Sequence, residues 1–350
     1  MGGLAFLRRF LNPAAGAGPR WASVRPTAAM VLVAIFLTAG CNSRSPDSAD
    51  GKGAKSDDGK ITLVMIPKDT QATFWNQVRS GADRAAKEFD VELIWKGPAT
   101  GNDRSEQKKV LQQFIGEDVD GILLAPTDSV ALAPDVHTAS VKGIPVLIFD
   151  SAVEGKVGED FISLVATDNE AAGRLGGEHL MKLVGNGGKT VLFRHMEGHA
   201  STGARERGAL DEMKKAGANV LVENRYSGQN STEAQNTALS MKDELQEAAG
   251  VFASNQTSAE GLLNALKQQN LTGKIKFVGF DTSERLVEGL RNGDIQALVV
   301  QDPVAMGYQS VKLMVDHLGG KKVEESVNTG AHLVTAENMD DPEIAPLLKN

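Results

Sequence analysis

Residues 60–95 read KITLVMIPKDTQATFWNQVRSGADRAAKEFDVELIW, and this stretch decides the fold. Residues 61–66 form a continuous apolar strand. Behind it Val78, Ala82, Ala85 and Phe89 recur at spacings of three and four, the pattern of an amphipathic helix. Residues 91–95 form a second strand. The alternation continues outward, with strands at 121–125, 145–149, 162–166, 190–193, 220–223, 251–253, 276–280 and 295–300 and helical patterns between them. One of these helices, over 168–184, opens on Asp168 as its N-cap. Continuous apolar strands joined by helices indicate parallel sheets covered on both faces. Ten strands are too many for one compact sheet in 350 residues, so the pattern predicts an α/β protein of two doubly wound lobes.

In open α/β sheets, binding groups gather beyond the carboxyl ends of the strands. The first strand is followed by Pro67, Lys68, Asp69, Thr70, Gln71, Ala72, Thr73, Phe74 and Trp75. Later strands end at Asp128, at Asp150 and Ser151, and at Thr167, Asp168 and Asn169. In the second half the endings are residues 195–207, Tyr226, Asn255, Asp281 and Gln301. These carboxylates, amides, hydroxyls, guanidinium and aromatic groups suit a small ligand bearing several hydroxyls. Plainer roles stand beside that one. Aspartate after a strand closes turns or caps helices unaided, a second reading of Asp150 and the first reading of Asp168. Phe74 and Trp75 also suit core packing, Arg205 also suits pairing with Glu206 or Glu212, and Gln301 also suits a hinge. His195 and His199 lie four apart, but Gly198 between them breaks the helix that would present both to a metal. No metal and no cofactor is expected, and His199 remains a candidate ligand contact.

The chain carries a net charge of −8, which excludes nucleic acid as a partner, since binding phosphates needs a basic face. Arg8, Arg9, Arg20 and Arg25 surround or precede an apolar run over 28–39, and no acid appears before Asp47. The run suits a signal peptide and is too short to span a bilayer. It ends in Leu37, Thr38, Ala39, Gly40 and Cys41, which resembles the bacterial lipobox; Cys41 is the single cysteine. The expectation is a signal peptide over 1–40, lipidation at Cys41, and a flexible tether over 41–59, where no aliphatic residue exceeds alanine. Such a protein is exported and anchored to a membrane by lipid alone. Asn42 after the cysteine favours the outer membrane, with the folded part facing the periplasm.

Five motifs then fall in one order: IPVLIFD over 144–150, Thr167-Asp168-Asn169 followed by Gly173, STGARERG over 201–208, VFASN over 251–255 and FVGFD over 277–281. In that order they resemble the periplasmic ribose- and galactose-type sugar-binding proteins, type I, which share their fold with the effector domain of the lac repressor family. The resemblance implies two Rossmann-like lobes joined by three hinge crossovers, near Ala166, Gln301 and Asn328. The N-terminal lobe is then 60–166 plus 302–328, and the C-terminal lobe 167–301 plus 329–350. It also implies a ligand in the cleft, held by Phe74, Trp75, Asp150, Arg205, Asn255, Asp281 and Gln301. Asp128, Ser151, His199 and Tyr226 are further candidates, and Asp168 falls to a hinge or cap. Two departures stand out. Ribose-type proteins commonly have arginine where this chain has Ser151, and asparagine just before the aromatic pair, where it has Ala72 and Thr73. Polar mismatches of this kind are strongly discriminated, so the sugar is left open.

No catalytic constellation appears in the sequence. The function implied is the monomeric substrate-binding component of an ABC-type importer, closing on a small polar ligand and handing it to permease subunits. A ligand sensor, presenting its closed form to a chemoreceptor or sensor kinase, is the alternative. A secreted hydrolase using Asp150 and Asp281 is the reading from another class. A repressor is excluded, because the signal segment takes the place of a DNA-binding helix-turn-helix.

Overall fold

The computed structural model describes residues 59–99, 103–117 and 119–349. Cys41, the signal peptide and nearly all of the tether lie outside the described residues. The chain folds as two six-stranded sheets, each wrapped by helices.

The first sheet contains β1 (Thr62–Ile66), β2 (Glu92–Trp95), β3 (Gly121–Leu124), β4 (Val146–Phe149), β5 (Leu164–Ala166) and, from far along the chain, β11 (Ser326–Asn328). Its order is β11-β5-β4-β3-β1-β2, with every pair parallel. The apolar run read in the sequence fills both faces of this sheet. Leu63 and Met65 pack with α1 (Thr73–Glu88) and α10 (Pro303–Leu318), while Val64 and Ile66 pack with α2 (Arg104–Gly116) and α3 (Ala133–Val141). A strand buried on both sides needs no polar alternation, which is why its burial is unbroken.

The second sheet repeats the plan with β6 (Lys189–Arg194), β7 (Asn219–Tyr226), β8 (Gly250–Ala253), β9 (Lys276–Phe280), β10 (Ala297–Gln301) and β12 (Ala331–Val334). Its order is β12-β10-β9-β8-β6-β7, and only β12 runs antiparallel to its neighbour. Helices α4 (Asn169–Val184) and α5 (Ala200–Lys215) cover one face; α6 (Ser231–Ser240), α7 (Lys242–Glu247), α8 (Gln256–Gln268) and α9 (Glu284–Arg291) cover the other. In both sheets the strand order reverses beside the first strand, at β1/β3 and at β6/β8. These are the switch points where such sheets bind ligands.

The chain crosses between the sheets after β5, after β10 and between β11 and β12. Side chains lace the crossings together. Thr167 donates its hydroxyl to Gln301 Oε1 at 2.8 Å and lies 3.1 Å from the Gly330 carbonyl, and the Asp168 N–H donates to Asn328 Oδ1 at 3.1 Å. The Asp168 carboxylate accepts from the Ala171 N–H and so caps α4. The strands β11 and β12 were not read from the sequence; both are short and sit at sheet edges, with little apolar surface to betray them.

Candidate functional site

Each candidate side chain is positioned by a strand end or by the helix that follows it. After β1 the loop turns on Asp69, whose carboxylate accepts from the Gln71 and Ala72 N–H groups in the turn that leads to α1. Phe74 and Trp75 follow in its first turn, edge to face at 5.0 Å. Trp75 also meets Phe149 of β4 edge to face, so one aromatic set serves both the core and the cleft.

Arg205 is set by two close-packed helices. A Cβ on Gly173 would overlap the Arg205 carbonyl, and one on Gly208 would overlap the Glu170 carbonyl, so glycine at both lets α4 and α5 touch backbone to backbone. That contact brings Asn169 Oδ1 within 2.7 Å of Arg205 Nε. Nη1 donates to the Ser254 carbonyl at 3.1 Å, and the guanidinium lies over the Phe280 ring with its carbon 3.9 Å from the centroid. The fork is thus held in a fixed plane by protein groups.

A cavity between the two lobes is lined by Phe74, Trp75 and Asp150 from the first and by His199, Arg205, Asn255, Asp281 and Gln301 from the second. The lobes meet around it: Lys68 Nζ donates to Ser201 Oγ at 3.0 Å, the Ser201 N–H to Ser151 Oγ at 3.0 Å, and the Phe74 N–H to Gln256 Oε1 at 3.1 Å. Five charged groups are buried here, Asp69 among them at 7% exposed. Asp150 is 3% exposed, Asp281 6%, Lys68 5% and Arg205 2%. Lys68 pairs with Asp150 at 2.7 Å and Arg205 with Asp281 at 3.8 Å, so each buried base has an acid, while burial pushes the pKa of the third carboxyl, Asp69, up. Burial pushes the Asp281 carboxyl up and the Arg205 guanidinium down, and their mutual attraction opposes both shifts.

The members differ in how far the protein already satisfies them. Gln301 Nε2 donates to Asp281 Oδ1 at 2.6 Å, while its Oε1 accepts from Thr167, so it ties the site to the crossings. Asn255 caps α8, accepting from the Ser258 N–H and hydroxyl. Thr202 Oγ1, buried in the cavity wall, meets no hydrogen-bond partner among the described residues. Three further candidates stand away from the lining. Asp128 accepts from the Val130 and Ala131 N–H groups and pairs with Arg104 at 2.8 Å. Ser151 holds Ser201, and Tyr226 lies under Arg194, 4.7 Å from its centroid.

Lys68, Asp69, His195, Ser201, Thr202, Gln256 and Thr257 line the cavity without having been singled out as ligand contacts. The signal for Lys68 was its place directly after the first strand; nothing in one sequence separates a lysine there from a surface lysine. His195 and His199 are both buried, edge to face at 5.1 Å. Burial, with the charges of Lys68 and Arg205 nearby, lowers the pKa of His195 to about 3, and burial with the charge of Lys68 lowers that of His199 well below its ordinary value.

Two doubly wound lobes whose strand ends converge on a buried polar cavity define a solute-binding class of protein. The chain belongs to the periplasmic binding protein family, whose domain matches residues 63–322. It is 29% identical over 259 residues to the D-allose-binding periplasmic protein of Escherichia coli strain K12, covering 72% of this chain and 83% of that one. It is 30% identical over 278 residues to the ribose import binding protein of Haemophilus influenzae, with 76% and 88% covered. Among solved structures, an ABC transporter solute binding protein from Agrobacterium vitis with bound D-fucose matches with a TM-score of 0.78 and 32% identity, covering 82% of this chain and 100% of that one. A carbohydrate transporter solute binding protein from Agrobacterium radiobacter, in complex with D-arabinose, gives 0.79 and 32%, covering 83% and 99%. The expected fold class and family are those found.

Proposed function

We propose that this protein is the substrate-binding component of an ABC-type sugar importer, capturing a neutral monosaccharide between its lobes by hinge closure. The observation that carries the reading is the buried polar cavity, lined from both lobes, with an aromatic pair beside Asp150 and Arg205 and each base paired with an acid. Lys68 and Arg205 each already face a buried acid, which leaves no unpaired base in the lining for an anionic ligand, whereas hydroxyls both donate and accept. Contacts from both lobes favour the closed arrangement over the open one, which is all a ligand needs to drive closure. The relatives' ligands, D-allose, D-fucose and D-arabinose, are neutral polyhydroxylated molecules of this kind.

The proposal keeps Phe74, Trp75, Asp150, Arg205, Asn255, Asp281 and Gln301 as the binding set, with Asn255 and Gln301 acting largely by holding their neighbours in place. It keeps the lobe limits 60–166 plus 302–328 and 167–301 plus 329–350, export, and a lipid anchor at Cys41. It makes the protein a monomeric binder that delivers its ligand unchanged to a permease. A thermal-shift screen of the purified protein against neutral monosaccharides, polyols and nucleosides tests it. A ligand at about 100 times its dissociation constant adds about 2.7 kcal/mol. A hit on a monosaccharide, recovered chemically intact, supports the reading. Silence across the monosaccharides from a folded sample rejects a free-sugar binder, and turnover of the bound sugar rejects a simple carrier.

A further inference from the structure

Lys68 stands on the loop between β1 and α1, yet its ammonium lies deep in the cleft. It is 2.7 Å from Asp150 Oδ2 on its own lobe and 3.0 Å from Ser201 Oγ on the other. Burial pushes its pKa down, and the Asp150 carboxylate is the main influence working the other way. A lysine held there at such a cost invites the question of what it is for. The neighbouring position supplies an answer. Asp150 is followed by Ser151, whose hydroxyl is occupied by the Ser201 N–H. The strand end that carries Asp150 therefore brings no cation of its own, and Lys68 reaches in from the first strand's loop to supply one. An ammonium has three donors; Asp150 and Ser201 take two, and Lys68 lines the cavity.

We propose that Lys68 is a specificity-determining residue: its ammonium donates to the ligand hydroxyl that lies beside Asp150. The inference rests on the sugar-binding reading and deepens it. A guanidinium fork engages two acceptors in a fixed plane, whereas an ammonium engages one as a point charge. The ammonium accordingly asks for one hydroxyl at this corner.

The test is calorimetric titration of the wild-type protein and of Lys68→Met with the tightest-binding monosaccharide of the screen and each of its monodeoxy derivatives. Lys68→Met should weaken the parent sugar by about 10- to 100-fold, the value of one charge-assisted hydrogen bond. One derivative, the one lacking the hydroxyl that Lys68 reads, should bind the two proteins alike. Lys68→Gln, which keeps a neutral donor, should fall between them and takes over the comparison if the methionine variant fails to fold. A loss of the same factor for every derivative means that Lys68 acts only by holding Asp150, and overturns the inference alone; so does unchanged binding. A wild-type protein silent towards every monosaccharide overturns the sugar-binding reading and this inference with it.

Discussion

Asp150 and Asp281 occupy the same place in the two lobes, each directly following its lobe's fourth strand, β4 or β9, with a left-handed backbone of φ 60° and 66°. Each is buried and each faces a cation from another element, Lys68 for the first and Arg205 for the second. The left-handed region costs a residue with a Cβ roughly 1–2 kcal/mol, with aspartate and asparagine the most tolerant. The fold accepts that cost twice, at two sequence-distant sites that line one cavity. The pair is the charge axis of the cleft.

Replacing Asp150 with asparagine keeps the tolerated backbone but leaves the Lys68 ammonium buried without its counter-charge. Removing one partner of a buried pair costs about 3–5 kcal/mol. Urea denaturation should show Asp150→Asn destabilised by that order without ligand, and calorimetry should show affinity reduced at least about tenfold. The double variant Lys68→Met with Asp150→Asn should recover most of the stability while binding stays weak. A double variant as unstable as the single one would remove the ion pair from the explanation.

Arg205→Lys separates charge from shape. Nε and Nη1 of the arginine meet Asn169 and the Ser254 carbonyl simultaneously, and a lysine ammonium cannot span both in the same plane. The charge facing Asp281 survives, so the ligand-free protein should lose little stability beyond one or two hydrogen bonds, about 1–3 kcal/mol. Affinity should fall more than about tenfold in titration with the sugar bound by the wild type. Equal affinity in the two proteins would leave Arg205 a purely structural group.

The strands most legible in the sequence are the central ones, where burial on both faces gives an apolar run, as in Leu63 to Ile66, while the edge strands β2 and β7 are only half-buried. The register of the cleft was legible through residues that must follow strands: Asp150, Asp281 and Gln301 all line the cavity. Lys68 was not, because its role depends on Ser201, 133 positions away on the other lobe. Asn255 and Gln301 were read as ligand contacts, yet their side-chain atoms already have protein partners. A polar residue at a strand end does not announce whether it meets the ligand or holds the residue that does. Tyr226 illustrates the same limit, since its ring pairs with Arg194 at the far end of β7.

Gly173→Ala tests whether the helix pair α4–α5 sets Arg205. The added methyl group has no room against the Arg205 carbonyl, so the helices must part at the point where Arg205 is rooted. Overpacking of this kind costs typically about 1–3 kcal/mol. Thermal melting should show that loss, and sugar affinity measured well below the melting range should fall as well, because Asn169 can no longer hold the guanidinium. Gly203, whose Cβ would meet only the flexible end of Arg207, is the control position on α5. Gly203→Ala should leave affinity unchanged and, by the better helix propensity of alanine, raise stability by about 0.5–1 kcal/mol.

Acid should weaken the protein through His195 and His199. The folded state lowers the pKa of His195 to about 3 and that of His199 well below 6.5, so both rings stay neutral where the unfolded chain takes up protons. A depressed folded pKa gives stability that is present above the unfolded value, near pH 6.5, and is lost as pH falls towards the folded one. Below pH 6.5 each histidine should remove about 1.4 kcal/mol per pH unit until its folded pKa is reached. The buried carboxyl of Asp281, whose pKa is raised, contributes in the opposite sense, so the histidine share must be read as a difference between proteins. Urea denaturation of the wild type and His195→Gln at pH 7.5, 6.0 and 5.0 supplies it. The variant should show the shallower fall, by about the share of one histidine, whatever its stability at pH 7.5. Parallel profiles would mean that His195 is protonated in the folded protein as readily as in the unfolded chain.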